Sequence, residues 1–514
     1  MLTLAEVVRA TGGELRGVHV ATGPERGARV GSGADLGGGA GQGPGGGAGG
    51  AGGGAGQGPG EGGDQAAEVR FSRVVIDSRQ VVPGALFVAL RGQKHDAHAF
   101  VAQALASGAA GAVVEQVPPD CAWALDPLAD GPPLVVVPST ITALGDMARF
   151  ALDQHPGLEV IGITGSLGKT TTKEVVASVL SCRRSVLKSE GNLNSEIGLP
   201  VTVLNGLNRP HEIAVLEMGM YNVGDIRLLA QLARPRIGVV TAVQPIHLER
   251  VGTLERIQQA KQELVEELPE GGVAVLNSDD PRVAQMASAT RARVVRYGVA
   301  PDADVRAEAI QSQGLRGVEF DLLAQGKRRH VRLPLLGAHS VHAALAATAV
   351  ALEEGLTLSE TAEALHELTP VLRLLIVEGI NGSRVVDDSY NASPESVLAA
   401  LNLLKELPGR RKIAVLGDML ELGSEEEPAH RRVGSRAALV LDRLITLGER
   451  SKITAEEARR GGLSAEQVVE ASSHDQIVEQ LRSWLRPGDD VLVKGSLSMG
   501  MSAVVRGIRA QGEG

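Results

Sequence analysis

Residues 158–174 have the sequence LEVIGITGSLGKTTTKE, and this stretch decides the fold class of the chain. The apolar run Val160–Thr164 predicts a buried strand, and the glycines after it predict a tight turn before a helix that begins at Lys169. The backbone amides of such a turn, together with the amino end of a helix, bind phosphate groups. The pattern therefore predicts a nucleotide-binding loop rather than a chance glycine turn.

Each residue type in this loop has a chemical reason to be there. The glycines let backbone amides face an anion, the Lys169 ammonium supplies a charge for the β- and γ-phosphates, and the Thr170 hydroxyl is suited to Mg²⁺. The candidate nucleotide-binding residues of the loop are Gly165, Ser166, Leu167, Gly168, Lys169, Thr170 and Thr171.

Short apolar runs alternate with helical patterns along the chain, which is typical of an α/β protein with parallel sheets. We expect three domains, a small α/β domain over 1–154, a parallel-sheet domain over 155–368 and a Rossmann-like domain over 369–514. The strands predicted for the second and third domains are Val160–Thr164, Ile213–Leu216, Ile237–Val243, Val273–Leu276, Arg384–Val386, Lys412–Leu416, Leu441–Leu447 and Asp490–Val493.

The composition excludes several classes of protein. The net charge of −10 leaves no basic surface for non-specific nucleic-acid binding. Two cysteines do not form a disulfide framework, and no apolar run approaches the roughly 20 residues of a membrane helix. The N-terminus lacks the pattern of a signal peptide. We therefore expect a cytoplasmic enzyme with no nucleic-acid partner and no membrane insertion.

One local tract distorts the glycine content. Residues 31–63 contain 20 of the 65 glycines and almost no side chain that is able to bury surface. Because glycine loses the most backbone entropy on folding, we expect this tract to be a disordered insertion in the first domain.

Polar side chains follow three further strands of the predicted second domain. Glu217 follows the second strand, His247 the third, and Asn277 the fourth, with Asp279 and Asp280 close behind. Ligands of open α/β sheets bind at the carboxyl ends of the strands, so we expect these side chains to meet the phosphate loop. Glu217 is suited to Mg²⁺. A lone histidine is more often structural, but the place of His247 at a strand end favours a metal ligand.

Lys261 interrupts an apolar stripe on a predicted helix. Ile257, Leu264 and Leu268 form the stripe, and a buried ammonium among them is costly unless it is paired or loses its charge. One interpretation is a lysine whose ammonium extends past the stripe to water. The other is a neutral amine that takes up CO₂, so that the carbamate presents oxygens to a second Mg²⁺.

These residues together resemble the Mur ligase family, the ATP-dependent amide-bond enzymes of peptidoglycan assembly. The resemblance covers nearly the whole chain except the glycine tract. It implies that the phosphate loop, with Glu217, His247 and Lys261, holds ATP and two Mg²⁺ ions. It also implies that Asn277 contacts the adenine, and that Arg373 contacts the nucleotide. A third-domain carboxylate that closes on the nucleotide in the family matches Asp388.

Within the family, five segments resemble the enzymes that add D-alanyl-D-alanine to UDP-N-acetylmuramoyl-tripeptide. The segments are DSRQVVPGALFVALRG (77–92), NLNSEIGLP (192–200), DDSYNASP (387–394), GDMLELG (417–423) and VKGSLSM (493–499). The resemblance implies that the UDP-muramoyl substrate and its peptide are bound by Asp77, Ser78, Arg79, Arg91, Asn192 and Asn194.

The implied reaction passes through an acyl phosphate that the amine of D-alanyl-D-alanine attacks. The substrates are small molecules, and we expect the protein to be a monomer. The catalytic candidates are Lys169, His247, Lys261, Asp388 and Lys494. Asp388 and Lys494 belong to the third domain, so we expect activity to require domain closure. Whether the tripeptide ends in diaminopimelate or lysine stays open.

Two alternatives also stay open. Another Mur-type ligase or a folylpolyglutamate-type ligase forms an amide bond on a different acid, and a panel of UDP-muramoyl peptides distinguishes these. A P-loop ATPase switch, or a binding module whose working part is the glycine tract, forms no amide bond.

Overall fold

The computed structural model describes residues 1–17, 69–92, 95–126, 131–245, 248–368 and 375–510, and the glycine tract 31–63 lies outside these ranges. Within them strands and helices alternate, which confirms the predicted α/β class. The chain divides into two compact units, Met1–Thr140 and Ile141–Gly514. None of the helices in the described ranges combines the length and the apolar character that crossing a membrane requires.

The first unit is built on a five-stranded sheet of order β1-β5-β4-β3-β2, in which only β1 runs antiparallel to its neighbour. Helix α1 begins at a capping box, since Thr3 and Glu6 each accept the backbone amide of the other. The elements are α1 (Leu4–Thr11), β1 (Glu14–Arg16), β2 (Val74–Val75), β3 (Leu86–Val88), α2 (Val101–Ala106), β4 (Gly111–Val114) and β5 (Leu134–Val136).

The second unit contains two sheets, of which the first has nine strands in the order β14-β13-β12-β11-β10-β9-β6-β8-β7. Its strands are β6 (Glu159–Thr164), β7 (Val186–Lys188), β8 (Ile213–Glu217), β9 (Ile237–Val240), β10 (Val273–Asn277), β11 (Arg293–Gly298), β12 (Val305–Ser312), β13 (Val318–Ala324) and β14 (Lys327–Leu333). Strands β6 to β12 are parallel, and β13 and β14 add an antiparallel edge.

Nine helices accompany this sheet in the described ranges. They are α3 (Thr140–Asp153), α4 (Lys169–Leu180), α5 (Gly198–Gly206), α6 (Asp225–Ala233), α7 (Leu248–Val251), α8 (Leu254–Glu266), α9 (Pro281–Gln285), α10 (Ser340–Glu353) and α11 (Leu358–His366). Helix α10 is alanine-rich and buried on nearly every side, and it packs against α4 and the sheet. Small side chains allow this close approach, so α10 fixes the position of the helix that follows the phosphate loop.

The second sheet of this unit has six strands in the order β15-β16-β20-β17-β18-β19, with only β15 antiparallel. Apolar side chains cover both of its faces. Its elements are β15 (Leu375–Glu378), β16 (Arg384–Asp388), α12 (Pro394–Glu406), β17 (Lys412–Gly417), α13 (Glu426–Val440), β18 (Arg443–Leu447), α14 (Ser451–Arg460), β19 (Val468–Ala471), α15 (His474–Trp484), β20 (Asp490–Lys494) and α16 (Ser502–Ile508).

All eight strands predicted for these two sheets are present. Strand β9 ends at Val240, whereas the prediction extended to Val243, because the residues after Val240 bind the phosphate loop instead of a neighbouring strand. The sequence pattern missed β7, β11 to β15 and β19. The three domain boundaries stay a prediction, since both sheets lie within the second compact unit.

A buried ion network joins the starts of the three central strands of the six-stranded sheet. The Asp490 carboxylate is fully buried, and it accepts Arg384 Nε at 2.8 Å, Lys412 Nζ at 2.6 Å and the Gly409 amide at 2.8 Å. The Asp490 carboxylate thus pairs with two cations, Arg384 and Lys412, at the same time. The network therefore sets the register of the strands whose other ends carry Asp388 and Lys494.

We expect Asp490→Ala to lower the free energy of unfolding by about 3–5 kcal/mol, because Arg384 and Lys412 lose their buried counter-charge. Glu456→Ala, which removes an exposed ion pair with Arg460, is the control and should cost less than about 1 kcal/mol. Urea unfolding followed by circular dichroism measures both. Equal shifts for the two variants would contradict the network's role.

Candidate active site

The phosphate loop is the turn between β6 and α4. Gly165 has a φ of 146° and Gly168 a φ of 76°, and a Cβ at Gly165 would lie 1.8 Å from Thr241 Oγ1. Gly165 therefore meets both a conformational and a steric requirement for glycine. Helix α4 begins at Lys169 as predicted, without a side-chain cap, so its amino end is available to an anion.

The segment after β9 holds the loop in place. The Ser166 amide donates to Ala242 O at 2.7 Å, and Ser166 Oγ accepts the Gln244 amide at 2.8 Å. Thr241 Oγ1 donates to Leu167 O at 2.5 Å. Residues 241–244 therefore hold the phosphate loop in place through hydrogen bonds to both its backbone and its Ser166 hydroxyl.

Glu217, at the end of β8, is the meeting point of three segments. Its carboxylate is 2% exposed, and it accepts Thr170 Oγ1 at 2.7 Å on one oxygen and Asn194 Nδ2 at 2.8 Å on the other. The Glu217 amide donates to Ser189 Oγ at 3.1 Å. The structure thus brings together a predicted metal residue, the loop hydroxyl and a predicted substrate residue.

Two lysines lie on the same side of the loop. Lys169 Nζ donates to Gly165 O at 2.7 Å, while Lys261 on α8 is buried and has no hydrogen bond or ion pair with another described residue. Burial, and secondarily the charge of Lys169, holds the pKa of Lys261 well below its ordinary value of 10.5. Lys261 is 2% exposed, so the interpretation of an ammonium that extends to water is wrong, and the lowered pKa means that this amine loses its proton more readily than an exposed lysine does.

The residues after β10 line a cavity of about 450 Å³, which is the smaller of two cavities in this region. Asn277 Nδ2 donates to Thr241 O at 2.8 Å, and Asn277 Oδ1 accepts the Asp279 amide at 3.0 Å. The ring nitrogen Nε2 of His342 lies 2.8 Å from Asp279 Oδ2, and Asp280 caps α9. Asn277 and His342 thus line both this cavity and the larger one, whereas Asp279 lines only the smaller one, and His342 was not among the predicted site residues.

In the six-stranded sheet, β16 and β20 are neighbours, and their register sets Asp388 beside Lys494. Lys494 Nζ lies 2.6 Å from Asp388 Oδ2 and donates to Asn391 O at 2.8 Å. The lysine side chain is 2% exposed. A paired, nearly buried ammonium is rigid, so it is a fixed positive charge at the end of this sheet.

One cavity of about 1400 Å³ in the second unit brings most of the candidate residues together. His247 and Arg373 lie outside the described residues. The cavity is lined by Gly165, Ser166, Leu167, Gly168, Lys169, Thr170, Thr171, Asn192, Asn194, Glu217, Lys261, Asn277, Asp388 and Lys494, among others.

The remaining candidates lie in the first unit. Ser78 begins a short 3-10 turn, and Asp77 accepts Arg79 Nε at 2.9 Å and the Arg79 amide at 3.0 Å. These hydrogen bonds, from the side chain first, lower the pKa of Asp77 to about 2. Arg91 Nε donates to Asp96 Oδ2 at 3.1 Å. All four candidate side chains are at least partly exposed, which leaves them accessible to a ligand.

Sequence reasoning missed a contact between the two sheets of the second unit. Arg250 of α7 lies 4.9 Å from the centre of the Tyr221 ring, and its guanidinium reaches Glu421 Oε1 at 3.1 Å. Glu421 has a φ of 63°, which is uncommon for a residue with a side chain. The segment GDMLELG (417–423) matches a family motif, but the motif did not indicate that Glu421 pairs with Arg250, because Arg250 is far away in the sequence.

No cluster of three His, Cys, Asp or Glu side chains suited to a metal occurs within the part of the chain that the structure describes. Mg²⁺ usually takes one or two carboxylates together with phosphate oxygens and water. Glu217 and the Thr170 hydroxyl are therefore a donor set that fits a nucleotide-bound Mg²⁺.

Comparison with known proteins supplies the family. Three family models match: the Mur ligase family catalytic domain over residues 70–150, the Mur ligase middle domain over 163–351, and the Mur ligase glutamate ligase domain over 372–497. This chain belongs to the Mur ligase family. Its phosphate loop, Glu217 and Lys261 all lie within the middle domain of that family.

Curated and solved relatives agree with this assignment. The UDP-N-acetylmuramoyl-tripeptide–D-alanyl-D-alanine ligase of Mycobacterium tuberculosis is 39% identical over 468 residues, covering 84% of this chain and 91% of that protein. A crystal structure of MurF from Acinetobacter baumannii has a TM-score of 0.75 and 29% identity, over 86% of this chain and 94% of that one. MurF from Thermotoga maritima in complex with ADP has a TM-score of 0.72 and 29% identity, over 85% and 97%.

The lowered pKa of Lys261 predicts a pH-dependent cost of folding. Between the lowered pKa of the folded chain and 10.5, the unfolded chain binds a proton at Lys261 that the folded chain does not bind, so stability is lost as the pH falls through this range. In CO₂-free buffer Lys261→Met should therefore unfold at a higher temperature than the wild type at pH 7.5. The gap should shrink as the pH rises toward 10.5, by about 1.4 kcal/mol per pH unit between the two pKa values.

Thermal denaturation of both proteins between pH 7.5 and 9.5 measures this gap. A difference in stability between the two proteins that does not change with pH over this range would contradict a lowered pKa of Lys261 there.

Proposed function

We propose that this chain is an ATP-dependent ligase that joins D-alanyl-D-alanine to the terminal carboxylate of UDP-N-acetylmuramoyl-tripeptide. The observation that carries the proposal is the 1400 Å³ cavity, in which a phosphate loop and a buried lysine–aspartate pair of another sheet line one space. The Mycobacterium tuberculosis relative named for this reaction aligns over nine tenths of its own length, which supports the same substrates.

The reaction has two steps. In the first, an oxygen of the tripeptide carboxylate bonds to the γ-phosphorus of ATP, and the bond from that phosphorus to ADP breaks. In the second, the dipeptide amine bonds to the acyl carbon and loses a proton, and phosphate leaves from the tetrahedral intermediate. Positioning and charge neutralisation dominate such phosphoryl transfers, and both are properties of the cavity wall.

ATP binds at the phosphate loop in this proposal. The loop amides and the amino end of α4 face the phosphates, and Lys169 exchanges its bond to Gly165 O for the phosphate oxygens. Asn277 and Arg373 contact the rest of the nucleotide. The Thermotoga maritima relative was solved in complex with ADP, which supports nucleotide binding by this chain.

Thr170, Glu217, His247 and Lys261 would hold two Mg²⁺ ions, which neutralise phosphate charge when bound. We propose that Lys261 contributes as a carbamate. Its neutral amine forms an N–C bond with CO₂ and loses a proton, and the two carbamate oxygens then serve as hard ligands. The burial of Lys261 without a described partner supports this, because an uncharged amine is the reactive form.

Lys494 and Asp388 act from the other sheet. The ammonium of Lys494 is fixed by Asp388 and Asn391, so it offers a preorganised positive charge to the transferred phosphoryl group. The Arg250–Glu421 pair joins the two regions beside the cavity. Substrate entry therefore requires the regions to separate, and catalysis requires them to close.

The UDP-muramoyl part binds the first unit in this proposal. Asp77, Ser78, Arg79 and Arg91 supply its polar contacts, while Asn192 and Asn194 lie along the peptide. We propose that the protein acts as a monomer in the cytoplasm.

A coupled assay tests the reaction. Purified protein, ATP and Mg²⁺ are incubated with D-alanyl-D-alanine and UDP-muramoyl-tripeptide ending in either diaminopimelate or lysine, and phosphate release and product mass are measured. We expect phosphate release only when both substrates are present, and at least about a hundredfold loss in Lys169→Met. Phosphate release without dipeptide would favour an ATPase switch, and turnover of a folate substrate alone would favour a folylpolyglutamate-type ligase.

Lys261→Ala tests the carbamate. We expect about a hundredfold loss of ligation, because two oxygen ligands disappear, and partial recovery in acetate or propionate, whose carboxylate fits the space left. Chloride at equal ionic strength is the control. Full activity of the variant, or a loss of activity that short acids do not reverse, would contradict the carbamate proposal.

A further inference from the structure

Lys173 is a second buried lysine of this region, and no role in the reaction has yet been assigned to it. It lies on α4, in the turn after Lys169 and Thr170, and its side chain is completely buried. A buried ammonium is costly unless it is fully paired. Its partners therefore indicate what it holds in place.

The Lys173 ammonium binds backbone groups of the segment after β7. Nζ donates to Ser189 O at 2.6 Å and to Gly191 O at 3.5 Å, and it lies 3.1 Å from Glu174 Oε1. Charge-assisted bonds to two carbonyls two residues apart fix the path of the chain, whichever side chains the segment carries. Lys173 thus ties the start of this segment to α4.

The same segment is tied to Glu217 at its other end. Asn194 donates its side-chain amide to Glu217 Oε1, and Asn194 O accepts the Gly219 amide at 2.8 Å. Between these ties, residues 192 and 194–196 line the 1400 Å³ cavity beside the phosphate loop. The segment 189–196 is therefore part of the cavity wall, tied to α4 through Lys173 and to β8 through the contacts of Glu217 with Ser189 and Asn194.

We propose that Lys173 is a positioning residue for the acid substrate, acting through the segment 189–196. The first turn of α4 faces the phosphate loop, and the next turn fixes the wall that the carboxylate-bearing peptide meets. Helix α4 thereby sets the distance between the γ-phosphate of ATP and the carboxylate of the acid substrate. Phosphoryl transfer is sensitive to this distance. This inference rests on the proposed function.

If Lys173 were only structural, its removal would lower stability without discriminating between the substrates. If it positions the acid substrate, its removal changes the Michaelis constant for that substrate alone. Lys173→Met keeps the length and apolar stem of the side chain and removes only the ammonium. We expect KM for UDP-muramoyl-tripeptide to rise at least about tenfold, with KM for ATP changed less than about threefold.

Lys188→Met is a matched control. Lys188 also pairs with Glu174, but it is exposed, and its ammonium makes no hydrogen bond to the carbonyls of the segment within the described part of the chain. Burial acts to raise the pKa of Glu174, and the two lysines outweigh it, so the pKa is lowered. Lys188→Met therefore weakens the pairing of the Glu174 carboxylate, and it should leave every Michaelis constant within about twofold of the wild-type value.

Hydrogen exchange measured by mass spectrometry supplies a readout that does not depend on turnover. In Lys173→Met, amides of residues 189–196 should exchange at least about tenfold faster, while those of β6 stay unchanged. If Lys173→Met does not fold, Lys173→Gln keeps an uncharged NH₂ donor group, and the same two measurements apply to it.

An unchanged KM for the tripeptide in a folded variant would overturn the inference, as would equal increases for tripeptide and ATP. The wild type is assayed in parallel. Failure of the wild type to ligate refutes the proposed function, whereas an active wild type with an unaffected variant refutes only the role of Lys173.

Discussion

The carboxylate of Glu217 is the constraint on which the rest of the site depends. It lies at the end of β8, and its oxygens accept a hydroxyl from the first turn of α4 and an amide from the segment after β7. A buried carboxylate needs such donors. Because the two donors come from separate stretches of chain and the carboxylate belongs to a third, this one side chain holds the phosphate loop, the cavity wall and the end of β8 in one arrangement.

Parallel sheet topology explains why the polar residues gather where they do. Strands β6, β8 and β10 run in the same direction, so the phosphate loop, Glu217 and Asn277 all follow strand ends at one edge of the nine-stranded sheet. The six-stranded sheet repeats this rule with Asp388 and Lys494, while its opposite edge carries the ion network of Asp490. The candidate site residues therefore lie at one edge of each sheet, and much of the charge pairing that stabilises the six-stranded sheet lies at the other edge.

Much of this arrangement could be predicted from the sequence. The strand–turn–helix of the phosphate loop is local, and Lys261 was visible because it interrupts an apolar stripe. Lys173 was not visible, because it lies among polar residues, before the apolar residues of α4 begin at Val175. Its burial is set by the segment 189–191 and by the neighbours of α4 in the fold. The antiparallel strands β13 and β14 were missed because β14 carries many charged residues and is exposed along its edge.

The sequence by itself determined the α/β class, the phosphate loop and the order of the strand-end residues, because each depends on neighbours within a few residues. Tertiary structure alone decided the partners of those residues. Lys494 binds the carbonyl of Asn391 across 103 positions of chain, and Asn194 reaches Glu217 across 23. Such pairs arise only when sheet register and helix packing bring distant segments within hydrogen-bond distance, and no local pattern in the sequence records them.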